Sequence, residues 1–385
     1  MVRIHKDPLP VLTNKNVVYK ISCKDCDASQ MCGTNFQTTD NEDFGTPQSH
    51  KQEYGNCVCD HRRSCHRLQY NHEFNWNDKN FIITNHYINL FVITGLFHKA
   101  ISQSGVMACP WAFTEREPHT KNRGFLLAEK LGKPTTDPKV AYEFLKTIDA
   151  KKLIETQEKS LLSEAERQQC LLTFTPTLDY ESSNPAFPEN LTTFIHRGVN
   201  VPLLLGFTSC EGSLFICSNF MNHTSKEELK KIDSDFKMII MPKILSTLSK
   251  IPMTVKELRS IYFGDKAVSE ETLINYANFI GDQFFYRSIM EVTDIQAELN
   301  TDNTDNNATY LYKFSYENET NFMRKLLNIT LPGVSHGEDL PYLFYPNMMK
   351  DLGLSPPAPD SEDYKMINCL TQMWTDFAKT GYYRV

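Results

Sequence analysis

V-P-L-L-L-G-F-T-S-C-E-G, running from Val201 to Gly212, decides how the rest of this chain is read. Its first seven residues, Val201 to Phe207, form a nearly continuous apolar run that ends in a glycine-containing turn. A strand buried on both faces has this pattern, because helices covering both sides of a parallel sheet leave no place for polar side chains. A second strand candidate, Tyr310 to Tyr316, sets Tyr310, Tyr312, Phe314 and Tyr316 on one side and Leu311, Lys313 and Ser315 on the other. Elsewhere the apolar period becomes helical. One helix is expected from the cap Ser269, with Glu270 and Glu271 in its first turn and Leu273, Tyr276, Ile280 and Phe284 on one face. Another is expected from about Glu362 to Lys379, with Met366, Leu370, Met373, Trp374 and Phe377 facing a core and Gly381 as its stop. Strands and helices alternating in this way predict an α/β fold with a largely parallel sheet.

Open parallel sheets bind ligands beyond the carboxyl ends of their strands. Two expected strand-end loops carry titratable side chains: Gly206 to Gly212 presents Glu211, and G-V-S-H-G at Gly333 to Gly337 presents His336. A carboxylate and an imidazole on adjacent strand ends can form the acid-histidine half of a catalytic triad, where the acid fixes the tautomer and stabilises the imidazolium. A plainer reading fits the same residues, with Glu211 capping its turn and His336 hydrogen-bonded within its loop.

Five strings bear on that choice: G-L-F-H-K-A-I-S-Q-S-G at Gly95 to Gly105, V-P-L-L-L-G-F-T-S-C-E-G-S-L-F at Val201 to Phe215, Y-L-Y-K-F-S-Y at Tyr310 to Tyr316, G-V-S-H-G-E-D-L-P-Y-L-F at Gly333 to Phe344, and M-W-T-D-F-A-K-T-G at Met373 to Gly381. In this order they resemble the later part of the type-B carboxylesterase and cholinesterase family. The resemblance implies an incomplete α/β-hydrolase fold over about Gly95 to Gly381, made of the C-terminal part of the sheet and its helices. It further implies Glu211 as triad acid, His336 as general base, a small-molecule carboxylic ester as the family's substrate, no cofactor and a typically secreted setting. His98, inside the first string, is expected to be structural.

In that family the nucleophilic serine sits in a G-x-S-x-G elbow before the G-L-F-H-K-A-I segment, and a glycine-rich oxyanion loop comes earlier still. The residues before Gly95 match neither. One G-x-S-x-G is present, at Gly333 to Gly337, and nominates Ser335; but the fold's chain order is serine, acid, histidine, and no histidine follows His336. Ser104, in S-Q-S-G, has Ser102 where an elbow needs glycine. The expectation is therefore a carboxylesterase-like chain with Glu211 and His336 but no nucleophile, and without esterase turnover. Two alternatives stand beside it: a non-catalytic binding or adhesion module, and an active secreted carboxylesterase whose true N-terminal part differs from this one. Without the family's front strands, Val201 to Phe207 and its neighbours are expected to expose an apolar sheet edge.

Bulk properties fit a globular protein, with 41% hydrophobic and 23% charged residues among 385. The net charge of -7 offers no basic footprint for nucleic acid or a membrane surface. No apolar run is long enough to span a bilayer, and Met1 to Lys20 contains no apolar signal core. Composition changes near Thr94. Before it crowd Cys23, Cys26, Cys32, Cys57, Cys59 and Cys65; after it lie all five Asn-x-Ser/Thr triplets, starting at Asn190, Asn222, Asn307, Asn318 and Asn328, which points to a glycosylated, secretory ancestry for that side. Residues 1–94 are thus expected to be a Cys/His-rich, poorly ordered segment unrelated to residues 95–385. Two short apolar runs stand in it, Val17 to Ile21 and Phe81 to Ile83. Asn16 to Ser29 and His66 to Trp76 bear a weak resemblance to a degenerate GIY-YIG nuclease-type segment of retroelements. The second core motif falls on Gln30 to Gly33 with no arginine after it where that family has its catalytic one, so no nuclease activity is expected. Cys23-x-x-Cys26 with Cys57, Cys59, His61, Cys65 and His66 downstream has an atypical spacing for zinc, and no metal is expected.

Overall fold

The computed structural model describes residues 97–114, 122–161, 172–180, 185–217, 225–302, 308–318, 321–345 and 355–382, the strand segments 5–8, 17–23 and 82–83, and positions 183, 349 and 353. Cys26, Cys57, Cys59, His61, Cys65 and His66 lie outside the described residues, as does most of the nuclease-like pattern.

Among the described residues, six strands form one sheet. Its strands are β1 (His5–Pro8), β2 (Val17–Cys23), β3 (Ile82–Ile83), β4 (Ala100–Gln103), β5 (Leu203–Thr208) and β6 (Thr309–Tyr316), in the order β1-β2-β6-β5-β4-β3. Only β1 and β2 pair antiparallel; every other pair is parallel. The runs at Val17 to Ile21 and Phe81 to Ile83 supply strands, β2 beside β6 and β3 beside β4. The expected exposed edge is consequently not found at β5. That strand lies between β4 and β6, its backbone groups paired on both sides and all six of its residues buried.

Two hydrophobic clusters cover the two faces. Ile101, Leu204, Tyr310, Tyr312, Phe314 and Tyr316 pack with the C-terminal helix Glu362–Thr380, while Ala100, Leu203, Leu205, Phe207 and Leu311 pack with the other helices. The period-two reading of β6 is therefore realised, tyrosines and phenylalanine to one side, Leu311 to the other. Gly206 is required where it stands. Its register partner on β6 is Tyr312, whose ring would lie 1.9 Å from a Cβ at position 206.

The C-terminal helix buries Met366, Leu370, Met373, Trp374 and Phe377, the face expected from the spacing, and each such side chain contributes about 1.5–3 kcal/mol when fully buried. Ser361 caps it, accepting from the Tyr364 N–H, and Gly381 ends it in the left-handed region at φ 72°. Replacing Ser361 by alanine should cost about 1 kcal/mol, read as a lower urea midpoint at unchanged slope.

The helix expected from Ser269 departs from regularity. A 3-10 turn, Glu270–Thr272, leads into the helix Leu273–Gly281, a π turn at Asp282–Tyr286 and a further helix, Arg287–Asp302. Of the expected face, Tyr276, Ile280 and Phe284 are buried and Leu273 is half-buried, but Phe285 is buried as well. The pattern of one regular helix does not foresee this, because a π turn inserts a residue that periodicity cannot register.

Candidate active site

Glu211 follows β5 in a tight turn. Its Oε1 accepts the Thr208 N–H at 2.7 Å, and Ser213 Oγ donates to the Cys210 carbonyl at 2.8 Å. The loop bearing His336 is tied to that turn twice: Cys210 N–H donates to the Val334 carbonyl at 2.8 Å, and Val334 N–H donates to Ser209 Oγ at 2.9 Å. Gly333, at φ 88°, makes the close approach, since a Cβ there would lie 2.8 Å from Cys210 Cβ.

These ties bring the two predicted site residues together. His336 Nδ1–H donates to Glu211 Oε2 at 2.7 Å. The carboxylate is 3% exposed and the imidazole 30%, so the acid is enclosed while the base keeps an open edge. With Nδ1 engaged, proton chemistry falls to Nε2, which has no hydrogen-bond partner among the described residues. Burial works against the charged imidazole, but Glu211 prevails and holds its pKa above the ordinary histidine value.

The serines weighed from sequence are placed elsewhere. Ser335 is fully buried; its N–H donates to Glu338 Oε2, and its hydroxyl has no partner among the described residues. Ser104 is buried at the end of β4 with φ 52°, its N–H donating to the Gly206 carbonyl and its hydroxyl likewise without a partner among the described residues. Neither hydroxyl is hydrogen-bonded to His336.

Sequence reasoning missed three residues of this neighbourhood. Asp339, 3% exposed, accepts from Gln103 Nε2 at 2.9 Å, and Gln103 Oε1 accepts from Trp374 Nε1 at 3.3 Å, linking the C-terminal helix to the site. Burial and then the nearby Glu211 charge push the Asp339 carboxyl up to about 6. A signal was present for Asp339, a carboxylate three residues after His336 in the same string; Gln103, one residue before Ser104, carries no mark of its role. Phe285, whose ring lies 4.8 Å from the His336 ring at 35°, was hidden by the π turn. Among the described residues no cluster of three His, Cys, Asp or Glu side chains could hold a metal ion, and no helix is long and apolar enough to cross a membrane.

The family model for carboxylesterases matches residues 84–383. This chain belongs to the carboxylesterase family. Among carboxylesterases it is 31% identical over 301 residues to juvenile hormone esterase of Heliothis virescens, covering 74% of this chain and 48% of that protein. To esterase FE4 of Myzus persicae it is 27% identical over 303 residues, covering 74% and 48%. The chain spans about half the length of the curated relatives it matches. Its fold resembles the crystal structure of juvenile hormone esterase from Manduca sexta with OTFP covalently attached, at TM-score 0.60 and 23% identity, over 76% of this chain and 53% of that one. The expected fold class therefore stands: the sheet and its covering helices are those of an α/β-hydrolase.

Proposed function

We propose that residues 95–385 are a carboxylesterase-like unit carrying the acid and base of a serine-hydrolase triad, Glu211 and His336, without the nucleophile or oxyanion loop, and that the chain as it stands does not turn over esters. The observation that carries this reading is the 2.7 Å contact between His336 Nδ1 and Glu211 Oε2, with Nε2 unpartnered among the described residues. A carboxylate on Nδ1 directs Nε2 toward a reacting hydroxyl, which is the geometry a general base uses. The missing part of the machinery is the hydroxyl itself. Loss of the nucleophile alone lowers turnover by about a millionfold in a triad enzyme.

The substrate class proposed for the complete site is a small carboxylic ester, in keeping with the esterases among its relatives. Residues 1–94 are proposed to be a separate segment contributing strands but no chemistry. Glycans at Asn190 and Asn328, both exposed, belong to the same proposal, since Asn-x-Ser/Thr sites cluster on the esterase-like side.

The test is hydrolysis of a p-nitrophenyl ester by the purified full chain. The expected result is a rate equal to buffer alone, unchanged by His336→Ala. Turnover that His336→Ala abolishes would overturn the inert reading and make this an active esterase.

A further inference from the structure

The π turn at Asp282–Tyr286 lies against the candidate site, and three buried side chains pin it from different directions. Its defining bond runs from the Arg287 N–H to the Asp282 carbonyl, five residues back. Gln283 reaches outward in two bonds, its Nε2 donating to the Ile239 carbonyl at 3.0 Å and its Oε1 accepting the Met241 N–H at 3.3 Å. Just beyond the turn, Ser288 Oγ donates to the Ala108 carbonyl at 3.0 Å. Within the turn, the Trp111 indole N–H donates to the Phe284 carbonyl at 2.9 Å. A π turn widens the helix and splays its carbonyls, so one of them can take an outside donor of this kind.

The consequence is visible in where two consecutive aromatic rings go. In a regular helix successive side chains diverge by about 100°, given 3.6 residues per turn. Here Phe284 and Phe285 are both 1% exposed, and the ring of Phe215 meets both, at 5.8 Å and 5.9 Å. Phe285 also touches Trp111 at 5.4 Å and His336 at 4.8 Å. Trp111 thus holds the backbone of residue 284 with its N–H and packs its ring, tilted at 52°, against the ring of residue 285.

One hydrogen bond does not orient an imidazole. The bond to Glu211 fixes Nδ1 but leaves the ring free to turn about the line joining Nδ1 and Oε2, and that rotation carries Nε2 away from any one direction. A ring lying on the imidazole face removes the freedom. A phenyl face also carries negative quadrupole density, which favours the protonated imidazole, the more so where the pair is desolvated. We propose that Phe285, placed by the π turn and held from behind by Trp111, is a positioning residue for His336: it sets the plane of the imidazole and stabilises its protonated form. The proposal rests on the reading of His336 as the site's base.

The test reads the titration of His336 by NMR of its ring protons in the full chain, with no ester present and the resonance assigned by its loss in His336→Gln. Phe285→Leu keeps an apolar side chain of similar bulk and removes only the aromatic face, so it should lower the His336 pKa by about half a unit to one unit, a threefold to tenfold loss in proton affinity. Phe285→Tyr keeps the face and should titrate like the wild type. A purely structural role predicts no such split between the two variants. If Phe285→Leu does not fold, Trp111→Phe serves instead: it removes the indole donor, retains a ring, and should shift the titration in the same downward direction. A His336 titration unchanged in Phe285→Leu, or unchanged in Trp111→Phe where that variant is the one used, overturns the proposal, as does an equal shift in Phe285→Leu and Phe285→Tyr. Since no ester enters the measurement, such a failure leaves the inert-esterase reading intact. Turnover in the ester assay would in turn overturn that reading and leave the titration result standing.

Discussion

Gly212→Ala should destabilise the protein by about 3 kcal/mol or more and, in whatever fraction stays folded, lower the pKa of His336. A Cβ at residue 212 would lie 2.0 Å from the Ala277 carbonyl oxygen and 2.6 Å from the Gly281 nitrogen, both backbone atoms of the helix that precedes the π turn. Overpacking against a flexible side chain is relieved by a rotamer change. Here either the helix or the turn that carries Glu211 must move, which places the cost at the upper end of the overpacking range or above it. Because Glu211, ahead of the nearby Asp339, is the larger of the charges that hold the His336 pKa up against burial, any withdrawal of its carboxylate lets that pKa fall. Gly281→Ala is the control. Its Cβ would approach nothing nearer than 3.1 Å, so it should cost clearly less. Equal losses in the two variants, measured by urea unfolding, would refute the close-approach account of the glutamate-glycine pair.

That pair shows how far the sequence could be read. The glycine after Glu211 belonged to a recognisable string, but the reason for it lies in a helix about seventy residues downstream, and no local pattern carries a distance of that kind. The strands and helices with one strong period were legible. β6 alternates tyrosines with smaller or polar residues, and the C-terminal helix repeats its apolar side chains faithfully enough that the buried face was foreseen residue by residue. Order in the sheet was less legible. Val201 to Phe207 reads as a buried strand, and Leu203–Thr208 is one, between β4 and β6; the edge beyond β4 was misjudged, since a run as short as Ile82–Ile83 carries too few residues to announce a strand, let alone its neighbour.

The candidate site divides along the same line. Glu211 and His336 each stand on a strand-end loop, where titratable groups attract notice, and the chain folds so that they touch. Gln103 is different: it sits in a strand whose every residue is buried, and nothing in A-I-S-Q distinguishes a glutamine that bridges Asp339 and Trp374 from one at a strand's edge. Phe285 was lost to an assumption of constant helical period. The inserted residue breaks the period, so a regular wheel drawn from Leu273 buries Phe284 correctly but turns Phe285 away from the core.

Arg324→Met should cost about 3–5 kcal/mol, the range for breaking a buried ion pair by deleting one partner. Arg324 bonds to Glu338 through Nε to Oε1 at 3.0 Å and Nη2 to Oε2 at 3.3 Å, with side chains 10% and 2% exposed. The same guanidinium donates to the carbonyls of Ile329, Leu331 and Gly333, while Glu338 Oε2 accepts the Ser335 N–H. The pair therefore braces both ends of the loop that holds His336. Burial already outweighs these partners and sets the Glu338 pKa above the ordinary glutamate value; removing the arginine raises it further. A carboxyl whose folded pKa exceeds its unfolded one costs nothing while both states are protonated, and costs progressively more as pH rises through the unfolded and then the folded pKa. The deficit of Arg324→Met should accordingly be larger at about pH 8 than at about pH 5, in paired urea titrations. Adding Glu338→Gln removes the stranded charge yet keeps an oxygen for the Ser335 N–H, so the double variant should regain part of the loss and show a flatter pH dependence. A deficit that does not grow with pH, or a double variant no more stable than the single one, would mean that Arg324 acts through its carbonyl bonds alone and that the charge on Glu338 carries none of the loop's stability.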